Sequence, residues 1–278
     1  MKKVVITVIS VTFLIFIVFF ILGSVFTDKF VNEEISKIKN SAASTKSIFE
    51  IDSLSSCPAL LKKYFNYSIN DSNSRPTYLK LDINGKLKTA ENSNWQDVTA
   101  EQYYSISTPA YIWNAQLKMN EFVFARAIET YIKGTGNILV KLFSSLKISD
   151  ATGDPVDQSC LTRYLCESVF FPNALLPGEN LEWQFAEQGK LKAILKYGAL
   201  KVEADFYFNS NGQVTKIETM DRYRTTASGY ERTLFSVTFS DYKSFNNYII
   251  PTSFKTNWHT KKGKFTFGEF NITGAQYN

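Results

Sequence analysis

The pattern of apolar and polar positions divides the chain into three parts. Residues 4–26 carry no charge and are almost entirely apolar. Residues 28–39 place four apolar side chains at helical spacing, and from Thr77 onward apolar residues mostly alternate with polar ones. A period of two is typical of strands that bury one face. The sequence therefore predicts an apolar helix, an amphipathic extension of it, and a domain built mainly from antiparallel strands.

The clearest strand is predicted at residues 201–208, before a turn at residues 209–212. The side chains of its apolar face are Val202, Ala204, Phe206 and Phe208. An earlier strand is predicted from Leu79 to Ile83, and Asn84-Gly85 after it is typical of a hairpin turn. Further strands are predicted at residues 103–106, 111–118, 122–133, 137–143, 181–186, 191–196, 214–223, 234–242, 253–259 and 264–273.

One strongly helical segment, residues 154–170, interrupts the strands. Asp154 is predicted to cap its first turn, Pro155 suits the first helical position, and Pro172 ends it. Its apolar stripe, which would pack on the sheet, consists of Val156, Cys160, Leu161, Tyr164, Leu165 and Val169. Arg163 and Glu167 form an i,i+4 pair. They belong either to a solvated helix face or to a polar group that lines a cleft beneath the helix.

The apolar run is long enough to cross a membrane, because 23 residues at 1.5 Å per residue span about 34 Å. The sequence after it offers a poor cleavage site, which favours an uncleaved anchor over a signal peptide. Lys2 and Lys3 favour a cytoplasmic N-terminus. We therefore expect a cell-membrane protein with a cytoplasmic tail (residues 1–3), a single transmembrane anchor (4–26), a juxtamembrane stalk and linker (27–50), and one extracytoplasmic domain (51–278). That domain should begin with a short helix that starts at Ser55-Ser56.

Charge and composition exclude several classes of chemistry. The net charge is +5, from 31 basic and 26 acidic residues that are scattered along the chain, so no nucleic-acid partner is expected. His259 is the only histidine and there is no Cys-x-x-Cys, so neither a metal site nor a cofactor is expected. A Ser-His-Asp hydrolase would have to use His259 without a Gly-x-Ser-x-Gly elbow. Cys160 and Cys166 are too far apart along one helix for a disulfide.

Several sequence blocks resemble an uncharacterised bacterial family of unknown function. They are residues 100–104 (AEQYY), residues 157–177 with the pattern DQ…RYL.E..FFP.ALLP, residues 221–224 (DRYR) and residues 250–252 (IPT). The order of elements is also similar to the half-barrel of bacterial lipoprotein carriers. This second resemblance implies an α+β fold, in which a large curved antiparallel sheet encloses a central packing helix and holds lipid chains.

The favoured function is the binding of a lipid or another apolar ligand in a half-barrel cavity. The alternatives are a structural or partner-binding envelope protein, whose protein partner the sequence does not identify, and an enzyme that uses a carboxylate pair drawn from Glu101, Glu129, Asp157 and Glu167. Non-enzymatic function is favoured. The aromatic residues predicted to line the cavity are Phe206, Phe208, Tyr164, Tyr104 and Trp113. The residues predicted for a polar cleft are Glu101, Gln102, Asp157, Arg163, Glu167, Arg222 and Arg224.

Overall fold

The computed structural model describes residues 2–44, 57–71 and 75–278. Its α-helices are α1 (Lys2–Ser44), α2 (Ala59–Ser68) and α3 (Asp154–Glu167), and two short 3-10 helices, Ser168–Phe170 and Pro172–Leu175, follow α3. The strands are β1 (Tyr78–Leu87), β2 (Gln96–Ser105), β3 (Ala110–Lys118), β4 (Phe124–Ile132), β5 (Thr135–Leu142), β6 (Leu146–Ala151), β7 (Leu181–Glu187), β8 (Lys190–Tyr197), β9 (Leu200–Phe208), β10 (Val214–Thr219), β11 (Tyr223–Thr226), β12 (Gly229–Arg232), β13 (Leu234–Phe245), β14 (Tyr248–Thr260) and β15 (Gly263–Tyr277).

Thirteen strands form one antiparallel sheet in the order β6-β5-β4-β3-β2-β1-β15-β14-β13-β10-β9-β8-β7, and β11 and β12 form a separate two-stranded ribbon. The rings of Tyr131 on β4 and Tyr197 on β8 lie 6.2 Å apart. Nine strand spacings separate β4 from β8 in the sheet order, which would be about 43 Å in a flat sheet. The sheet must therefore curve around α3, which contacts both β5 and β9. The predicted α+β fold with a large antiparallel sheet and a packing helix is confirmed.

The sheet has an inner face, which contacts α3, and an outer face, which α1 covers in part. Residues 4–19 of α1 are exposed. Farther along the helix, Val31 and Ile38 are buried against Ile112 of β3 and Ile128 of β4. The amphipathic pattern of residues 28–39 thus comes from packing on the outer face and not from a free stalk. The helix also continues to Ser44 within the predicted stalk and linker (27–50), whose residues 45–50 lie outside the described ranges.

The alternating pattern predicts most strands well but fails at one glycine. In β9, Val202, Ala204, Phe206 and Phe208 are all buried, as predicted. The predicted turn at Asn84-Gly85 is wrong, because β1 continues to Leu87. A Cβ at Gly85 would lie 2.4 Å from the backbone oxygen of Glu269, so glycine permits close strand packing here rather than a turn. Strands β6 and β12 were not predicted, and residues 214–223 form β10 and only the first residue of β11.

Helix α3 spans nearly the predicted range and buries its apolar stripe. The predicted cap at Asp154 is wrong. The N-cap residue is Gly153, which has no side chain to bond the first turn, and Asp154 lies inside that turn. Cys160 and Cys166 are buried thiols, and burial raises the pKa of Cys166 to about 12. The predicted short helix is α2, which begins at Ala59 after the N-cap residue Pro58. Its predicted start at Ser55-Ser56 lies outside the described residues.

Candidate functional site

A buried ionic cluster joins α3 to the inner face of the sheet. Arg163 donates from Nη1 to Glu129 Oε2 of β4 at 2.7 Å and from Nε to Glu167 Oε1 of its own helix at 2.9 Å. The second oxygen of Glu167 accepts bonds from Gln102 Nε2 at 2.9 Å and from Tyr104 OH at 2.8 Å. Polar groups from three elements therefore meet in the interior, where Arg163 and Glu167 are 9% and 7% exposed. The interpretation of these two residues as a solvated face is wrong.

The cluster is saturated with hydrogen bonds. Tyr111 OH donates to Glu129 Oε1 at 2.5 Å, so each carboxylate oxygen has a donor. The guanidinium of Arg163 lies 5.0 Å from the ring centroid of Trp113. Burial by itself would raise the pKa of Glu129, but Arg163, Arg222 and the Tyr111 hydroxyl outweigh it and hold that pKa below its usual range. A carboxyl group that stays ionised is a poor proton donor near neutral pH, so the cluster is better suited to positioning than to acid catalysis.

A large cavity lies next to this cluster, between the start of α3, the β11–β12 ribbon, the β1–β2 turn and the ends of β14 and β15. Its volume is about 990 Å³. Its apolar wall includes Ile138, Val156, Leu234, Trp258, Phe265 and Phe267. Its charged lining consists of the cations Lys88, Arg222, Arg224, Arg232, Lys261 and Lys262 and the carboxylates Glu91, Glu129 and Glu231. The cavity therefore combines an aromatic wall with an excess of positive charge.

The polar side of α3 holds Arg222 at the cavity. The backbone oxygen of Asp221 accepts bonds from Gln158 Nε2 and Thr162 Oγ1, both at 3.0 Å. On the other side of Arg222, the amide of Tyr223 donates to Ser159 Oγ at 3.0 Å. These bonds fix the chain on both sides of the arginine. Helix α3 thus positions the ionic cluster with one face and Arg222 with another.

The cations of the cavity differ in their partners. Arg224 pairs with Glu91 of the β1–β2 turn at 2.8 Å, and Arg232 pairs with Asp221. The guanidinium of Arg222 lies 4.4 Å from the ring centroid of Phe235. Within residues 2–44, 57–71 and 75–278, no carboxylate lies within ion-pair distance of Arg222. Arg222 is thus a half-buried cation that makes no direct ion pair within the described residues and acts on Glu129 only through its longer-range charge, so its N–H donors are left for another group.

The five predicted cavity aromatics lie elsewhere in the core and do not line this cavity. Phe206 packs against Trp183 at 5.0 Å between ring centroids, and Phe208 packs against Tyr64 at 5.9 Å. Tyr164 OH donates to the backbone oxygen of Ser105. Tyr104 and Trp113 belong to the surroundings of Arg163, as described above. Close ring packing therefore occupies the space that the pattern of residues 201–208 had suggested for a ligand.

The predicted polar residues separate into three groups. Gln102, Arg163 and Glu167 meet in the buried cluster, and Arg222 and Arg224 line the cavity. The two remaining residues lie apart from both. Glu101 points to the outer face, where it pairs with Lys80 at 2.6 Å, and the Asp157 carboxylate accepts a bond from the amide of Gly136 at 2.6 Å.

Sequence reasoning missed the aromatic wall of the cavity, because the β11–β12 ribbon that completes it carries little apolar pattern. His259 lies at the rim, where Nε2 shares a hydrogen bond with Ser236 Oγ at 2.8 Å. In the part of the chain that the structure describes, no acid bonds to its other ring nitrogen, and no cluster of three His, Cys, Asp or Glu side chains could hold a metal. The geometry thus offers a binding cavity beside a structural ionic cluster.

We expect Arg163→Met to lower the free energy of unfolding by about 3–5 kcal/mol, because it leaves two buried carboxylates without their cation. Urea titration of the full chain in detergent micelles measures this loss. Lys255→Met is the matched control, since it removes a cation from a pair with Glu269 on the surface and should cost about 0–1 kcal/mol. Equal losses in the two variants would contradict a stabilising role for the cluster.

The lowered pKa of Glu129 also predicts how stability depends on pH. A depressed folded-state pKa contributes stability that is present above the unfolded-state pKa, about 4.3 for Glu, and is lost as pH falls through the folded value. The free energy of unfolding of the wild-type chain should therefore fall more steeply below about pH 4.3 than that of Glu129→Gln. Parallel pH profiles for the two chains would show that Glu129 is not held ionised by the fold.

Comparisons with known proteins find three distant structural relatives among others. A domain provisionally described as an outer membrane lipoprotein-sorting protein from Vibrio parahaemolyticus is 11% identical with a TM-score of 0.39, covering 72% of this chain and 85% of its own. A DUF1329 family protein from Desulfovibrio piger is 9% identical, with a TM-score of 0.46. A LolA superfamily protein from Nitrosomonas europaea is 9% identical, with a TM-score of 0.36. Each of these two matches covers 79% of this chain and 92% of the other chain.

Sequence comparison identifies the family more directly. No curated protein matches the chain. The model of a family of unknown function, DUF6544, matches residues 47–270. This range includes the sheet as far as β15, the whole of α3, the ionic cluster and the cavity lining. The protein therefore belongs to the DUF6544 family.

Proposed function

We propose that the protein is a membrane-anchored binder of an amphiphile that has an apolar chain and an anionic head group. The cavity beside α3 is the proposed site. Its volume of about 990 Å³ is at the upper end of the range of small-molecule sites, about 300–1,000 Å³. The apolar chain would lie along the aromatic wall, where each buried CH₂ contributes about 0.8 kcal/mol.

The observation that carries this proposal is Arg222. A half-buried guanidinium is costly when its N–H donors lack acceptors, since a charged group removed from water needs direct partners. Of the carboxylates that line the cavity, Glu91 is paired with Arg224 and Glu129 with Arg163, and Glu231 is exposed on the ribbon. An anionic head group would supply a direct partner for Arg222, and the neighbouring Lys88, Lys261 and Lys262 would add a favourable potential at the rim. Carboxylate and phosphate heads share the chemistry that a guanidinium recognises.

The anchor forms the other half of the proposal. In the described residues, α1 is the one helix long and apolar enough to cross a membrane. We propose that residues 4–26 form an uncleaved span with a cytoplasmic N-terminus, which would place the domain outside the cytoplasm at the membrane surface. The ligand would then be drawn from a lipid phase next to the domain. The enzyme alternative is less favoured, because, against the effect of burial, Arg163, Arg222 and the Tyr111 hydroxyl hold the pKa of Glu129 below its usual range, which makes it a poor proton donor near neutral pH.

Paired probes test the ligand class. We expect Arg222→Gln to weaken binding of a pyrene-labelled fatty acid by about tenfold or more, since a hydrogen bond to a charged group contributes about 1.5–3 kcal/mol. Binding of the methyl ester of the same probe should change little, because it carries no charge. Ile138→Trp should weaken binding of both probes by filling the apolar part of the cavity.

Lys255→Gln, a cation on the surface away from the cavity, serves as the control and should bind both probes like the wild type. Pyrene emission of the full chain in non-ionic detergent gives the affinities. An equal loss of affinity for the acid probe and for the ester probe in Arg222→Gln would contradict an anionic head group. Wild-type binding of both probes by Ile138→Trp would contradict the cavity as the site.

The proposed topology predicts that protease added to intact spheroplasts digests the domain, because residues 27–278 would lie outside the cytoplasmic membrane. Immunoblotting against a C-terminal tag follows the digestion, and a cytoplasmic protein serves as the control for lysis. Protection of the domain until the spheroplasts are lysed would reverse the orientation.

A further inference from the structure

Two turns beside the anchor helix leave apolar side chains in solvent. Met119 and Phe122, in the β3–β4 turn, are 48% and 85% exposed, and Leu146 and Ile148, after the β5–β6 turn, are 42% and 58% exposed. The two turns are neighbours, since Phe124 of β4 and Phe143 of the β5–β6 turn stack edge to face at 5.6 Å. Single exposed apolar residues are ordinary, but a group of them marks an interaction surface.

The β5–β6 turn is fixed directly to the anchor helix. Phe143 packs against Phe20 at 5.4 Å between ring centroids, and Ser145 Oγ donates to the backbone oxygen of Phe20 at 3.0 Å. Two turns farther along the helix, Thr27 Oγ1 donates to the backbone oxygen of Ser144 at 2.6 Å. A Cβ on Gly23 would lie 2.4 Å from Ser145 Oγ, so glycine permits this close approach. The turn therefore lies level with residues 20–27 of α1.

The β3–β4 turn lies at a similar level. Strand β4 runs alongside α1 in the same direction, because Arg126 pairs with Asp28 at 2.5 Å and Ile128 packs farther along against Val31 and Ile38. Phe122 precedes Arg126 by four residues, which is up to about 13 Å along an extended chain. At 1.5 Å per helical residue, this is up to about nine residues before Asp28. The ring of Phe124 contacts that of Phe143, which in turn packs on Phe20, so the β3–β4 turn is level with about residues 19–21 of α1.

These levels fall within the apolar run of residues 4–26. A bilayer core of about 30 Å takes up about 20 helical residues, so a span that starts at Val4 reaches its outer boundary near Gly23. The β3–β4 turn is also suited to a partly apolar medium, because Asn120 Oδ1 accepts bonds from the amides of Phe122 and Val123 at 2.9 Å and 2.8 Å. Amides satisfied within the turn lower the cost of leaving water.

We propose that the β3–β4 and β5–β6 turns dock on the membrane that α1 crosses, with Met119, Phe122, Leu146 and Ile148 in the boundary between head groups and acyl chains. The proposal rests on the anchor assigned to α1 under the proposed function. Lipid is the occupant, because lipid surrounds the apolar part of α1 at the level where these side chains lie. The domain would then rest on the bilayer by three contacts and not hang from a single helix.

Brominated lipids test the docking. The full chain is reconstituted into vesicles of phosphatidylcholine with or without bromine near the top of the acyl chains, and the emission of the wild-type chain is subtracted to remove its four native tryptophans. Bromine should quench most of the emission that Phe122→Trp adds. The matched control is Thr135→Trp. Thr135 is exposed and follows the β4–β5 turn, at the end of β4 far from the β3–β4 turn, where the neighbouring Ile132 packs in the cluster with Ile38 of α1, so its added emission should be nearly unquenched.

Equal quenching of the two added tryptophans, or quenching of neither, would overturn the docking. Quenching of Phe122→Trp by lipid brominated near the chain ends but not near the head groups would overturn the proposed depth. An alkaline carbonate wash of the same vesicles distinguishes a failure of the docking from a failure of the anchor. If the chain is removed by the wash, the anchor and the docking both fail; if it is retained without quenching of Phe122→Trp, the docking alone fails.

Discussion

A buried cation between two carboxylates holds the domain together from within. Arg163 extends from α3 to Glu129 of β4 and Glu167 of the same helix, while Gln102, Tyr104 and Tyr111 complete the bonding from β2 and β3. Each charge depends on the others, since any one left unpaired in the interior would be expensive. The helix is therefore held in one rotation against the sheet. That rotation also presents Gln158, Ser159 and Thr162 to the chain on either side of Arg222 and so helps to shape the cavity.

The sheet is enclosed by helices of different kinds on its two faces. Helix α3 fills the inner face, and the second half of α1 covers the outer face of β1 to β4. Because α1 is one continuous helix from Lys2 to Ser44, it runs without interruption from the apolar segment onto the outer face of the sheet. The β1–β2 turn borders the cavity through Lys88 and Glu91. It lies at the same end of the strands as the β3–β4 turn that we propose to dock on the bilayer. The two proposals together bring the cavity close to a source of amphiphile.

The alternating pattern in the sequence predicted much of the sheet because each strand buries one face. It failed where a residue type serves two purposes. Glycine at position 85 was interpreted as a turn residue, yet it allows close packing of β1 on β15. Arg163 and Glu167 have the spacing of an ordinary surface pair, and the residue that shows they are buried, Glu129, lies 34 positions away in the sequence from Arg163. The aromatic side chains predicted to line a ligand cavity pack against other protein groups in the core instead, because a regular pattern of rings packs well without a ligand. The cavity of the structure is completed by the short polar β11–β12 ribbon, whose sequence has no alternating apolar pattern.

Native mass spectrometry of the full chain, purified from the membrane in non-ionic detergent and freed of micelles in the gas phase, tests the ligand-binding claim most directly. We expect the wild-type chain to carry one bound anionic amphiphile and Ile138→Trp, in which the cavity is filled, to carry little or none. A bare wild-type chain, or the same distribution of bound lipid in the two chains, would contradict ligand binding in this cavity.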